Sequence, residues 1–173
     1  QHLITSAVEH PSVLETCRIL AEQANIELTE LAVDSSGSVD PQALRASIRP
    51  DTSLISFMRA NNETGNLQSI EEFSEIAHEH EIPFHTDLVQ AVGKIGVDLN
   101  ASGADFATAT AHKLGGPRGI GLLYVREGSP FKSLITGGKQ ERVRRAGTEN
   151  VTLAVGFANA VEWYLGNQTS LHD

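Results

Sequence analysis

Hydrophobic positions along the chain switch repeatedly between strand-like and helix-like spacing, and that alternation predicts an α/β domain built on a mostly parallel sheet. Leu3 to Val8 reads as a short strand, and Pro11 to Ala24 as a helix with Pro11 in its first turn. One face of that helix carries Val13, Cys17, Leu20, Ala21 and Ala24, which predicts a core position for Cys17. Ile26 to Val33 reads as a strand, Asp34 to Gly37 as a turn, and Asp40 with Pro41 as the cap and first residue of a helix to about Ile48. Thr52 to Met58 is a compact apolar strand, followed by the polar loop Arg59 to Gly65 and a helix from about Ile70 to His80. Pro83 to His85 opens a strand that closes with Thr86 and Asp87, and Asp105 to Thr110 and Gly121 to Val125 are two more. Val151 to Leu165 is predicted to be an amphipathic helix presenting Ala154, Phe157, Ala158, Val161 and Leu165.

At 173 residues, 40% hydrophobic and 20% charged, the chain is expected to fold as one domain over residues 1–173. No apolar run approaches the ~18 residues of a membrane helix, and none has the order of a signal peptide. A net charge of −9 has the wrong sign for a protein that coats nucleic acid. Neither a membrane nor nucleic acid is therefore expected as a partner. Cys17 is the only cysteine, which excludes an intrachain disulfide and a multi-cysteine metal cage and favours a reducing compartment. The first residue is Gln1 and the only methionine is Met58, so the chain reads as processed, truncated or excised from something longer.

Ligands of open α/β sheets bind past the carboxyl ends of strands, and several reactive side chains fall there. Asn61 and Asn62 follow one strand, His85 and Asp87 end another, and His112 with Lys113 follows a third. Lys113, in a glycine-rich loop, suits Schiff-base chemistry if it is partly desolvated near another cation, and is otherwise a surface lysine. Asp87 suits pairing with a protonated ring nitrogen, or simply caps Leu88 to Val92. His10 and His112 are candidates for ring stacking and phosphate binding, against an ordinary structural role. Thr148, beyond Arg142, Arg144 and Arg145, offers a hydroxyl at the start of the last helix, where its plainer role, shared with Asn150, is a cap.

Two phosphate motifs fail. Gly138-Lys139 is followed by Gln140 and has Ser133 where the first P-loop glycine belongs, and Gly116 to Gly121 has the wrong spacing for a dinucleotide fingerprint. A metal reading from His78, His80, His85 and Asp87 is weak because residues two apart on a helix point to different faces. It leaves a metal-dependent hydrolase as a minor competitor, with no metal site expected.

Five stretches taken together are more specific than any one of them: Ile4 to Val13, Asn61-Asn62-Glu63-Thr64-Gly65, His85 to Lys94, Ala111-His112-Lys113-Leu114-Gly115-Gly116-Pro117-Arg118-Gly119, and Arg145-Ala146-Gly147-Thr148-Glu149-Asn150. In these the chain resembles the cysteine desulfurases of iron-sulfur-cluster assembly, which are class-V, fold-type I enzymes dependent on pyridoxal 5'-phosphate. The resemblance implies a three-layer α/β/α fold, here the partial large domain of such an enzyme. It further implies that Lys113 holds the cofactor as a Schiff base and moves protons, that His10 stacks on its ring, and that Asp87 pairs with the ring nitrogen. Gln90 would bond the ring hydroxyl, Asn62 the cofactor or substrate, and Thr110 and His112 the phosphate. Thr110 stands where a serine is more usual, and Thr148 would reach the partner subunit's cofactor in a homodimer.

The implied reaction takes L-cysteine to L-alanine, with sulfur held as an enzyme persulfide and passed to an acceptor protein. The family's nucleophilic cysteine loop, its N-terminal phosphate-binding segment and its C-terminal small domain have no counterpart here, so the chain alone is expected to be inactive. Cys17 is not assigned the nucleophile's role. The alternatives are another class-V enzyme, such as an aminotransferase or selenocysteine lyase, and a non-catalytic unit for dimerisation or acceptor docking. The resemblance implies a cytoplasmic location or an organelle of bacterial origin.

Overall fold

The computed structural model describes residues 1–167. Six strands form one sheet in the order β2-β1-β3-β4-β5-β6, where β1 is His2–Ser6, β2 Glu27–Leu31, β3 Thr52–Ser56, β4 Phe84–Asp87, β5 Phe106–Thr110 and β6 Gly121–Val125. The first five run parallel and β6 pairs antiparallel with β5. The helices are α1 (Pro11–Ala24), α2 (Pro41–Ser47), α3 (Ile70–Glu79) and α4 (Val151–Asn167). This is the mostly parallel α/β sheet expected from the pattern.

The first strand is buried along its whole length, as suits a strand paired on both sides. His2 lies at 0% exposure with its ring between Thr52 Oγ1 and Thr29 Oγ1, each at 2.8 Å, so a polar side chain stitches β1 to both neighbours. Burial pushes its pKa below the usual histidine value, and Arg49 adds to the effect. The main core gathers Ile4, Ile55, Phe84 and Ala107 from the sheet with Leu44 of α2 and Phe73, Ile76 and Ala77 of α3. Phe57 sits at its centre, edge-on to Phe73 at 4.9 Å and to Phe84 at 6.3 Å between ring centroids.

Two faces differ from expectation. Only Leu14 of α1 is buried, Leu20 is 40% exposed, and Cys17 is half-buried rather than core. In α4 the inward stripe is Leu153, Phe157, Ala160, Val161 and Tyr164, while Ala154, Ala158 and Leu165 are exposed. That helix is apolar nearly all round, so its sequence did not define which side packs. Strands also end earlier than the apolar runs: β1 stops at Ser6, which lets the chain turn so that Glu9 is buried.

Candidate active site

The chain leaves β1 for β2 on one side and returns to β3 on the other, so the sheet has a switch point between β1 and β3. Loops diverge there and leave a crevice at the carboxyl ends of the strands. A cavity of about 340 Å³ opens at this end, within the lower range of small-molecule sites. Its lining comes from four segments: His10 and Ser12 after β1, Met58 and Asn62 after β3, Asp87 and Gln90 at the end of β4, and Thr110, His112 and Lys113 after β5.

Local structure explains each placement. His10 caps α1: its Nδ1 accepts the Ser12 backbone N–H at 3.1 Å and lies 2.7 Å from Ser12 Oγ. An accepting Nδ1 leaves the ring proton on Nε2. Asn61 builds the next loop, its Oδ1 accepting N–H groups of Glu63 and Thr64 at 2.9 Å and its Nδ2 donating to the Val8 carbonyl at 2.9 Å. That leaves its neighbour Asn62 to line the cavity. Lys113 rides on a short 3-10 helix, Ala111–Leu114, anchored by buried Ala111 and Leu114. Thr110 Oγ1 and His112 Nδ1 are 2.9 Å apart beside it.

Asp87 is 6% exposed, and its cap reading is realised. Its Oδ1 accepts the Val89 N–H at 2.8 Å, a turn cap, and its side chain also lines the cavity. Burial raises its pKa, opposed by the Val89 bond and by nearby His10. Lys113 is exposed on the cavity wall rather than desolvated. The second cation is Lys94, which bonds the Gln90 side-chain oxygen and whose pKa is lowered by burial and then by Lys113. Thr148 lies outside the cavity lining, and Asn150 rather than Thr148 caps α4 by accepting the Leu153 N–H at 3.1 Å.

The histidines of the metal reading are dispersed: His78 pairs with Asp105 at 2.8 Å, and His85 lies between Ser56 and Thr108. Among the described residues no three His, Cys, Asp or Glu are grouped to hold a metal. Burial raises the Cys17 thiol pKa, and Glu9 and Glu30 raise it further, which suits a poor nucleophile.

Residues 1–172 match the family described as aminotransferase class-V. The chain belongs to that family. It is 50% identical over 162 residues to the cysteine desulfurase IscS of Dictyoglomus turgidum, and 49% identical over 162 residues to that of Methanosarcina thermophila. These matches cover 94% of this chain but 41% and 40% of the relatives, so the chain spans about two fifths of their length. A solved NifS-like protein superposes with a TM-score of 0.94 at 38% identity, covering 98% of this chain and 47% of the other. A structure of SspA in complex with cysteine superposes at 0.89 with 44% identity, covering 93% and 47%.

Class-V aminotransferases of this kind depend on pyridoxal phosphate. The donor set fits that group. A buried carboxylate suits a ring nitrogen, an amine suits an aldehyde, an imidazole plane suits a ring face, and a hydroxyl beside a histidine suits a phosphate. Sequence reasoning missed Ser12, which bonds the His10 ring, and Glu9, which is buried and bonded to Ser6 and Met58. Both lie inside the first matching stretch, but nothing in their spacing marks them.

Proposed function

We propose that this chain is the cofactor-holding part of the large domain of a pyridoxal-phosphate-dependent cysteine desulfurase. The longer protein would convert L-cysteine to L-alanine, hold the sulfur as a persulfide on its own cysteine, and pass it to an acceptor for iron-sulfur clusters or thiolation. The observation that carries the reading is the convergence of Lys113, Asp87 and His10 on one cavity from three separate strand ends.

When bound, pyridoxal phosphate supplies an electron sink for the pair left at the substrate α-carbon. Asp87 serves that chemistry by keeping a proton at the ring nitrogen through its anionic oxygen. Lys113 supplies, at Nζ, the amine that holds the group covalently and afterwards carries a proton. His10, its Nδ1 engaged by Ser12, presents a fixed ring for stacking. Gln90 directs its amide to the ring hydroxyl, with its oxygen tied to Lys94. Asn62 bonds the cofactor or substrate, and Thr110 and His112 hold the phosphate.

Thr148 lies outside this cavity, which suits a role across a homodimer, reaching the phosphate in the partner subunit's site. Among the described residues no helix is long and apolar enough to cross a membrane, and the reading places the protein in the cytoplasm or an organelle of bacterial origin.

The test is to add pyridoxal phosphate, reduce with borohydride and map the adduct by peptide mass spectrometry. A pyridoxyl group confined to Lys113 and lost in Lys113→Ala supports the reading. A folded chain with no adduct at Lys113 overturns the site assignment, and a full-length protein that releases no alanine from cysteine overturns the activity.

A further inference from the structure

Glu9 immediately precedes His10 and is 5% exposed. Its Oε1 accepts two bonds, from Ser6 Oγ at 2.7 Å and from the Met58 backbone N–H at 2.8 Å. Ser6 ends β1 and Met58 follows β3, so this one oxygen bridges the two strand ends that flank the switch point. The other oxygen, Oε2, is buried and has no hydrogen-bond partner among the described residues. Among the described residues no lysine or arginine pairs with Glu9, and the titratable groups coupled to it are Asp87 of β4 and Cys17 of α1. An ionised carboxylate here is buried with a second carboxylate nearby and, among the described residues, no cation paired with it, an arrangement that is strongly unfavourable.

We propose that Glu9 is a positioning residue of the cofactor site, an uncharged carboxylic acid that fastens the His10 turn to Met58. The proposal rests on the cofactor reading above. A neutral acid keeps its carbonyl oxygen as the acceptor for both Ser6 and Met58 and places no second charge beside Asp87. Burial pushes the Glu9 pKa up to about 7; the Met58 and Ser6 bonds resist the rise and Asp87 adds to it. The floor of the site then carries its negative charge on Asp87, the group that lines the cavity, while His10 and Met58 are held at fixed places on its wall.

Four proteins separate this role from a general structural one: the unmodified chain, Glu9→Gln, Glu9→Leu and the control Thr5→Val. Gln keeps a carbonyl acceptor without charge, whereas Leu leaves the Met58 N–H unpaired. Thr5→Val removes another buried bond, Thr5 Oγ1 to the Ser56 carbonyl at 2.9 Å, away from the cavity lining. Each is titrated with pyridoxal phosphate by absorbance, with thermal melts alongside to confirm folding.

Expected is binding by Glu9→Gln within about twofold of the unmodified chain, and a loss of roughly tenfold or more in Glu9→Leu that Thr5→Val does not show. Glu9→Gln binding as weakly as Glu9→Leu overturns the proposal, because the charge is then required. Equal losses in Glu9→Leu and Thr5→Val also overturn it, by reducing Glu9 to a fold element. Should Glu9→Leu fail to fold, the Gln comparison decides. An unmodified chain that takes up no cofactor overturns the cofactor reading and the role of Glu9 with it, whereas unmodified and Glu9→Leu chains that bind equally overturn the role of Glu9 alone.

Discussion

His85 on β4 is partly buried, with Nδ1 2.7 Å from Ser56 Oγ on β3 and Nε2 3.4 Å from Thr108 Oγ1 on β5. Burial lowers its pKa from 6.5 to about 4, so the folded chain binds fewer protons than the unfolded chain between those values. Its contribution to stability is therefore complete above pH about 6.5 and is lost as pH falls through about 4. The fall in pKa corresponds to about 3 kcal/mol, which the residual exposure of the ring discounts toward about 2. Glu9 runs the other way: its raised pKa contributes stability below about 4.5 that is lost as pH rises through about 7. Between those limits the two groups oppose each other and flatten the profile of the unmodified chain. His85→Asn keeps a polar atom near the Nδ1 position and removes the titration. Its stability, from urea unfolding followed by far-ultraviolet circular dichroism, should improve relative to the unmodified chain by about 2–3 kcal/mol between pH about 7 and about 4, whatever constant cost the smaller side chain adds. Parallel stability curves for the two proteins across that range would refute the assignment of His85 as a buried neutral group.

Two further substitutions test the packing. Gly93 has φ +81°, and a Cβ there would sit 2.4 Å from Leu114 Cδ2 and 3.0 Å from Tyr164 Cγ. Gly93→Ala should cost roughly 2 kcal/mol and, by pushing Leu114, lower the yield of borohydride-trapped adduct at Lys113. An unchanged yield would show that Leu114 does not set the place of Lys113. Phe73→Ala removes an edge-on partner of Phe57 at the centre of the core and should cost about 3–5 kcal/mol in urea unfolding, and a loss below about 1 kcal/mol would mean that the core repacks around Phe57.

Element types were legible in the sequence because runs such as Thr52 to Met58 and Ile70 to His80 are short, strongly patterned and bounded by turn residues. Their ends were less so. Phe57 still bonds the His85 carbonyl at 3.1 Å beyond the last residue of β3, so strand pairing fades rather than stops, and apolarity alone does not mark where. The packed face of α4 was misread because apolar residues surround it, and Cys17 because a helical stripe tells which residues share a side, not whether anything covers it. Seven of the eight candidate site residues line the cavity; Thr148 does not. What stayed hidden was the support beneath them. Glu9 acts through burial and a bond across the fold to Met58, and Ser12 through an exposed local bond to His10, and neither leaves a period in the chain.

Among the described residues the sheet ends at β6, which is bonded only to β5 on one side and shows Leu122 and Leu123 at 46% and 49% exposure. An outer strand of this kind is a template on which another extended chain can be added, and Gly121–Val125 carries no proline or charge to discourage it. Handling these 173 residues by themselves at high concentration therefore favours edge-to-edge aggregation through Leu122 and Leu123. A lysine at one of these two positions, neither of which lines the cavity, is the simplest way to keep the preparation dispersed.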